Sequence, residues 1–111
     1  MTTGDEAHER RTRALLAQLG TAMIAAGQPV QEIEEELVEL GRVLGYPDVQ
    51  LAVGPTGLQV TLTEGGASTN RSAPRGLQLH QAASVRRIRY QLVRGELDPD
   101  QAREQLTAAT R

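Results

Sequence analysis

Apolar residues recur with the 3.6-residue period of a helix along the N-terminal part of the chain. They predict a first helix over residues 6–26, which ends at Gly27 because glycine readily adopts the backbone conformation of a C-terminal cap. A second helix is predicted over residues 29–44, since proline suits the first helical position and Gly45 follows the last apolar residue. Its apolar stripe is the clearest of the chain: Val30, Ile33, Leu37, Leu40 and Leu44.

The stretch VGPTGLQVTL combines two strand-like alternations with a turn. Alternation with a period of two over residues 49–53 and 58–62 predicts two half-buried strands. The connection Gly54–Gly57 has proline in its second position, which favours a type I turn, and we expect Gly57 to supply a positive φ. These features predict a β-hairpin. Because an isolated hairpin is only marginally stable in water, a short third strand near residues 68–71 or packing by helices is required.

Two further helices are predicted after a polar, glycine-rich segment at residues 64–76. The third helix spans about residues 77–94. The fourth spans residues 99–109, because Asp98 is a strong N-cap and Pro99 is well placed at the first helical position.

The order of these elements predicts the fold class. Two N-terminal helices, a β-hairpin with a short third strand and two C-terminal helices make an α+β fold. We expect one soluble domain over residues 1–111, with its core at about residues 10–109. Such a small sheet leaves an unpaired strand edge, where a second chain can add, so we also expect a homo-oligomer.

The composition restricts the classes of function. The chain has no cysteine, phenylalanine or tryptophan, so its core must be built from aliphatic residues and methionine, and thiolate metal sites are excluded. The formal net charge is −2, and a chain so nearly neutral and so poor in aromatic residues argues against a nucleic-acid partner. The longest charge-free run, residues 14–31, is too polar for a membrane span, and the acidic N-terminus is unlike a signal peptide.

Residues for catalysis or metal binding are scarce. The chain has no G-x-S-x-G nucleophile motif, and neither of its two histidines, His8 and His80, lies close in sequence to a plausible catalytic serine. Neither a zinc-binding spacing nor a phosphate-binding loop is present. We therefore predict no catalytic residue, no metal and no cofactor.

The glutamate run of the second helix is typical of a solvated face, but the helical wheel separates its members. Glu34 and Glu36 lie at the edges of the apolar stripe, and Glu34 shares a column with Gly41, where another element can approach closely. Glu34 is therefore the carboxylate expected to be partly buried, with a need for a cationic partner. The candidates are Arg71 and Arg89; Arg89 falls within the apolar arc of the third helix, where the simpler interpretation is a packed stem with its charge in water.

Three stretches of this chain, LGTAMIAAGQPVQEIEEELVELGRVLGY, VQLAVGPTGLQVTL and LVRGELDPDQAREQL, resemble the soluble N-terminal domain of the threonine/serine exporter family. The resemblance runs from about residue 15 to 107. The matching features are two spaced glycines, an aliphatic–glutamate pair, a Thr-Gly turn and a closing segment: Gly20–Gly27, Ile33–Glu34, Thr56–Gly57 and Gly95–Leu106.

The resemblance implies a non-catalytic cytosolic domain of an exporter of threonine, serine or a similar small polar metabolite. Such a domain lies on the cytoplasmic side of the cell membrane and precedes a transmembrane bundle, which is absent from this chain. Its role would be substrate capture, gating or assembly. Two alternatives stay open, a small hydrolase-like enzyme and a plain homodimerisation module.

A ligand such as threonine carries an ammonium, a carboxylate and a hydroxyl group. Binding it calls for an anion, a cation with forked donors and a small polar side chain. Glu34, Arg71 and Thr56 offer these groups at positions that the resemblance also touches, and they are the predicted ligand-binding residues. Arg89 is the second candidate partner of Glu34.

Overall fold

The α+β class is confirmed, with seven elements in the predicted order. The computed structural model describes residues 3–111, with side chains from Gly4 onward. Its helices and strands are α1 (Thr3–Ala25), α2 (Val30–Val43), β1 (Gln50–Val53), β2 (Gly57–Thr61), β3 (Ser68–Ser72), α3 (Leu79–Val93) and α4 (Pro99–Ala109).

The ends of the elements follow local chemistry. At the start of α4, Asp98 accepts a hydrogen bond from the Gln101 N–H at 2.8 Å, and the Gln101 side chain bonds back to the Asp98 N–H. The Asp98 cap is the one that the sequence predicts, and Gln101 completes a capping box with it. Helix α3 begins two residues later than predicted, because Gln78 takes the cap position and donates its N–H to Oε1 of the Gln81 side chain at 2.8 Å.

Helix α1 is the centre of the molecule. All nine residues from Leu15 to Met23 are buried, on every side of the helix. The helix packs against α2, α3, α4, β2 and β3. Because every side of this buried segment meets another element, it has no exposed polar face, and six of its nine residues are leucine, alanine or glycine.

Four buried polar side chains on α1 are hydrogen-bonded, as burial requires. Thr12 and Thr21 bond to carbonyl groups of their own helix. Arg13 donates to Thr69 of β3 at 2.7 Å and forms an ion pair with Glu9. Gln18 forms hydrogen bonds with Arg103 and Thr107, both on α4. Polar bonds therefore tie α1 to the sheet on one side and to α4 on the other.

The sheet is antiparallel with the order β1-β2-β3. Val60 pairs with Leu51 on one side and with Thr69 on the other, which places these three side chains on the face toward the helices. Within residues 3–111, α3 and α4 pack against other helices and against no strand. The molecule therefore has three layers: the sheet, a middle layer of α1 and α2, and the α3–α4 pair.

Strand β3 approaches Gly57 closely, and this contact explains why a glycine ends the hairpin turn. The φ of Gly57 is not positive, and neither is that of Pro55 or Thr56, which agrees with a type I turn and corrects the expected reason for the glycine. A Cβ at Gly57 would lie 2.7 Å from the carbonyl oxygen of Arg71 on β3. Backbone of the neighbouring strand, rather than turn geometry, excludes a side chain here.

We predict that Gly57→Val destabilises the protein by about 1–3 kcal/mol, because a side chain must displace the backbone of β3. Thr56→Ala should change stability by less than about 0.5 kcal/mol, since Thr56 is exposed. Urea unfolding of both variants measures the difference. The assignment fails if Thr56→Ala is the more damaging change.

Strand β3 leaves one edge of the sheet open. No other helix or strand within residues 3–111 packs against it besides β2 and α1. Ala73 donates its N–H to the Thr56 carbonyl at 2.8 Å, so the backbone groups of Ala73 point toward β2. Backbone groups along an antiparallel strand point alternately to its two sides. Those of Ser68, Asn70 and Ser72 therefore point toward the open edge.

We therefore expect self-association through β3, measurable by sedimentation velocity over a range of concentrations. Asn70→Pro removes an N–H that points away from β2, so it should weaken association without breaking the sheet. Asn70→Ala keeps that N–H and is the matched control. A monomeric profile of the unchanged chain at high concentration would contradict the expectation.

Candidate functional site

A cleft of about 350 Å³ opens where α1, α2 and α3 meet. Helix α1 ends before a tight connection in which Gly27 has a φ of 83°. The Gly27 and Gln28 N–H groups cap the end of α1, donating to the carbonyls of Ile24 (2.9 Å) and Met23 (3.2 Å). Helix α2 then starts at Val30. The turn carries α2 away from the end of α1, and α3 closes the third side.

The floor and the rim of the cleft differ in chemistry. Apolar side chains form the floor: Met23, Ala26, Ala82 and Val85. Charged and amide side chains stand around it: Gln28, Glu32, Glu36, Arg86 and Arg89. A small apolar base with groups of both charges above it suits a small polar ligand rather than a purely apolar one.

Glu36 contacts two of the other polar side chains of the cleft. Its Oε2 atom accepts a hydrogen bond from Gln28 Nε2 at 2.6 Å and lies 3.5 Å from Arg89 Nε. The side chains of Arg89 and Glu36 are 21% and 28% exposed. This partial burial reduces screening by water, so each charge acts more strongly on its neighbour than on an open surface.

The structure pairs Arg89 with Glu36. This differs from both alternatives considered for Arg89 from the sequence, an ion pair with Glu34 and a packed stem with its charge in water. Glu34 and Glu36 lie at opposite edges of the buried stripe of α2. Gly41, in the column of Glu34, lies against Val49 at the start of β1. The other edge, which carries Glu36, faces α3 and Arg89. The wheel identified both edges but not which neighbour each edge meets.

Glu34 and the hairpin turn lie toward the same end of the molecule. A Cβ at Gly41 would be 2.8 Å from Val49, so the chain enters β1 beside the C-terminal half of α2. Leu37, about one turn after Glu34, and Leu58, next to the hairpin turn, meet α1 at the same place. A Cβ at Gly20 would lie 2.8 Å from the Leu37 side chain and still closer to that of Leu58.

Thr56 and Arg71 lie on neighbouring chain segments at this end. Arg71 pairs with Leu58 across the sheet, and both Thr56 and Arg71 are exposed, whereas Glu34 is half-buried. Among the described residues, no hydrogen bond or ion pair is found between any two of these three side chains. A ligand-binding role for Glu34, Thr56 and Arg71 stays a prediction.

A second cavity, of about 560 Å³, lies near the N-terminal end of α1. The rings of His8 and Tyr46 stack there with centroids 5.8 Å apart, although the sequence had placed His8 outside any site. Burial raises the pKa of Tyr46 above its ordinary value, with further increases from the nearby charges of Glu9 and Asp5. The hydroxyl of Tyr46 therefore stays protonated through the physiological range.

Sequence analysis overlooked Gln28 and the pairing of Glu36. Gln28 follows a helix-ending glycine, so it was assigned only to the restart of the chain. For Glu36 the signal was present, because its position at the stripe edge was visible on the wheel. No group of three or more potential metal ligands occurs within the described part of the chain.

Comparison with known proteins identifies the family. Residues 14–111 match the model of a family described as "Putative threonine/serine exporter". Searches of curated proteins and of solved structures found no significant match. No helix among residues 3–111 has the length and apolar character that crossing a membrane requires. The family match covers the chain from within α1 to the last residue, so this chain belongs to the threonine/serine exporter family.

Proposed function

We propose that this chain is a non-catalytic cytosolic domain of a threonine/serine exporter, which captures the amino acid before its passage through a membrane-embedded partner. The family match over residues 14–111 is the observation that carries this proposal. An exporter takes its cargo from the cytosol, so a capturing domain must face that side. The cleft between α1, α2 and α3 offers both charges that a free amino acid needs.

Capture for export demands weak binding. A domain that must release its cargo at every cycle should hold it with a dissociation constant of about 1 mM, equivalent to about 4 kcal/mol. The partly exposed charges of Arg89 and Glu36 suit this requirement, because water competes with the ligand for the same groups.

The hydrolase alternative is less well supported by the geometry. Ser84 donates its hydroxyl hydrogen to the backbone carbonyl of His80 at 3.1 Å, which is ordinary bonding within a helix. The ring of His8 stacks on Tyr46. Among the described residues, neither histidine ring is seen bonded to a serine hydroxyl, which is the arrangement that activates a nucleophile. An assembly role, by contrast, is favoured by the open edge of β3.

The proposal predicts an export defect. Cells that lack the gene for this chain, when fed a threonine-containing dipeptide, should accumulate several times more intracellular threonine than the parent cells. Reintroducing the gene should restore efflux. A leucine-containing dipeptide is the control and should give equal intracellular leucine in both strains. Equal threonine levels with and without the gene would refute the proposal.

A further inference from the structure

We propose that the cleft between α1, α2 and α3 binds a free α-amino acid with a small side chain as its zwitterion. Glu36 receives the ammonium group and Arg89 receives the carboxylate. The inference deepens the proposed function and rests on it for its biological meaning, because it assigns capture to a definite set of residues. These residues differ from the hairpin-end set predicted from the sequence.

Size restricts the ligand. A cleft of about 350 Å³ lies near the lower end of the range of ligand pockets, about 300–1,000 Å³. Dinucleotides and peptides longer than a few residues need more room than this cleft provides. Its floor of one methionine, two alanines and one valine gives a small aliphatic side chain a shallow apolar contact.

The atoms of the Glu36–Arg89 pair leave room for a ligand to join it. The hydrogen bond from Gln28 and the Arg89 contact at 3.5 Å both reach Oε2 of Glu36, so its Oε1 atom can accept from an ammonium group. In that contact Arg89 approaches Glu36 with its Nε atom. A guanidinium has five N–H donors, and its two terminal nitrogens can therefore hold a carboxylate in a forked arrangement.

Further groups at the cleft match the rest of a hydroxylated amino acid. Gln28 uses its Nε2 to donate to Glu36, and its amide oxygen can accept from a ligand hydroxyl. Glu32 and Arg86, both exposed at the rim, add a second charge of each sign. The carboxylates of the cleft are on α2 and its guanidinium groups are on α3, so the cleft is close to neutral but has a negative and a positive side. This arrangement favours a zwitterion over an ion of either sign.

The competing explanation is that Glu36 and Arg89 only fasten α2 to α3. A fastening pair would contribute to stability, and its removal would lower the melting temperature whether or not an amino acid is present. A binding pair would instead set the affinity for the ligand. Titration and thermal unfolding therefore separate the two explanations.

The first experiment titrates the full chain with L-threonine while amide signals are followed by NMR. We expect shifts concentrated in residues 26–36 and 82–89, saturating in the millimolar range. N-acetyl-L-threonine lacks the ammonium, and L-threonine methyl ester lacks the carboxylate. Each analogue should bind about tenfold more weakly or worse, because it leaves one charged side chain of the cleft without a partner.

The second experiment tests the residues with matched variants. Glu36→Gln and Arg89→Gln should each weaken threonine binding by about tenfold or more. Glu35→Gln and Arg87→Gln are the controls, because these residues are exposed on the same two helices and do not line the cleft. The controls should leave affinity within about twofold. Should a cleft variant fold poorly, the analogue titrations on the unchanged chain still decide the question.

Three outcomes would overturn the inference. Threonine shifts centred on Glu34, Thr56 and Arg71 would place the ligand at the hairpin end instead. Equal binding of threonine and its two analogues would show that the charges of the cleft do not recognise it. An absence of shifts, with a lowered melting temperature for Glu36→Gln, would make the pair a structural fastening. None of these results alters the export measurement, so failure of the cleft and failure of the proposed function are distinguishable.

Discussion

The structure depends on the complete burial of the central part of α1. Nine consecutive residues, from Leu15 to Met23, lie between the sheet and the outer helices. Each fully buried leucine contributes about 1.5–3 kcal/mol to stability, and a chain without phenylalanine or tryptophan has few other large side chains to bury. The remaining elements are arranged around this helix because it offers an apolar surface in every direction. Its four buried polar residues do not weaken it, since each is hydrogen-bonded.

Small residues determine how closely the other elements approach α1. A Cβ at Gly20 would collide with the side chains of Leu58 and Leu37, so β2 and α2 both reach the helix at this point. Past Met23 the burial of α1 becomes incomplete, and the turn at Gly27 carries the chain away. The cleft forms where this tight packing stops. Its position is therefore a consequence of the same close contacts that hold the core together.

The cleft lies at the boundary between the apolar core and water, and this position explains the charged side chains around it. A carboxylate in the core would require full compensation, whereas one in open water would bind little. Glu36 and Arg89 lie between these limits, with 28% and 21% of their side chains exposed. Partial burial strengthens their attraction for an opposite charge, and the remaining exposure lets a ligand enter and leave. An exchangeable site needs both properties, and a partly buried position between two neighbouring helices provides them.

The sequence by itself determined the elements and their order. The periods of the apolar residues and Asp98 as a cap were local signals. Together with the need for a third strand or for helix packing, they led to an α+β fold whose motifs resemble the exporter family. The tertiary structure decided what each element touches. A helical wheel gives the angle of Glu36 around its own axis but not the neighbour at that angle, so Arg89 could be assigned to the wrong carboxylate. Likewise, the sequence places Gly57 at the hairpin turn, but only the position of β3 shows that the carbonyl oxygen of Arg71 leaves no room for a side chain there. The sequence also did not show that Leu15–Met23 is buried on all sides, because a continuous run of buried residues has no polar face from which its orientation could be predicted. Local periodicity is set within one segment, whereas contacts between segments depend on how several independently formed surfaces fit together.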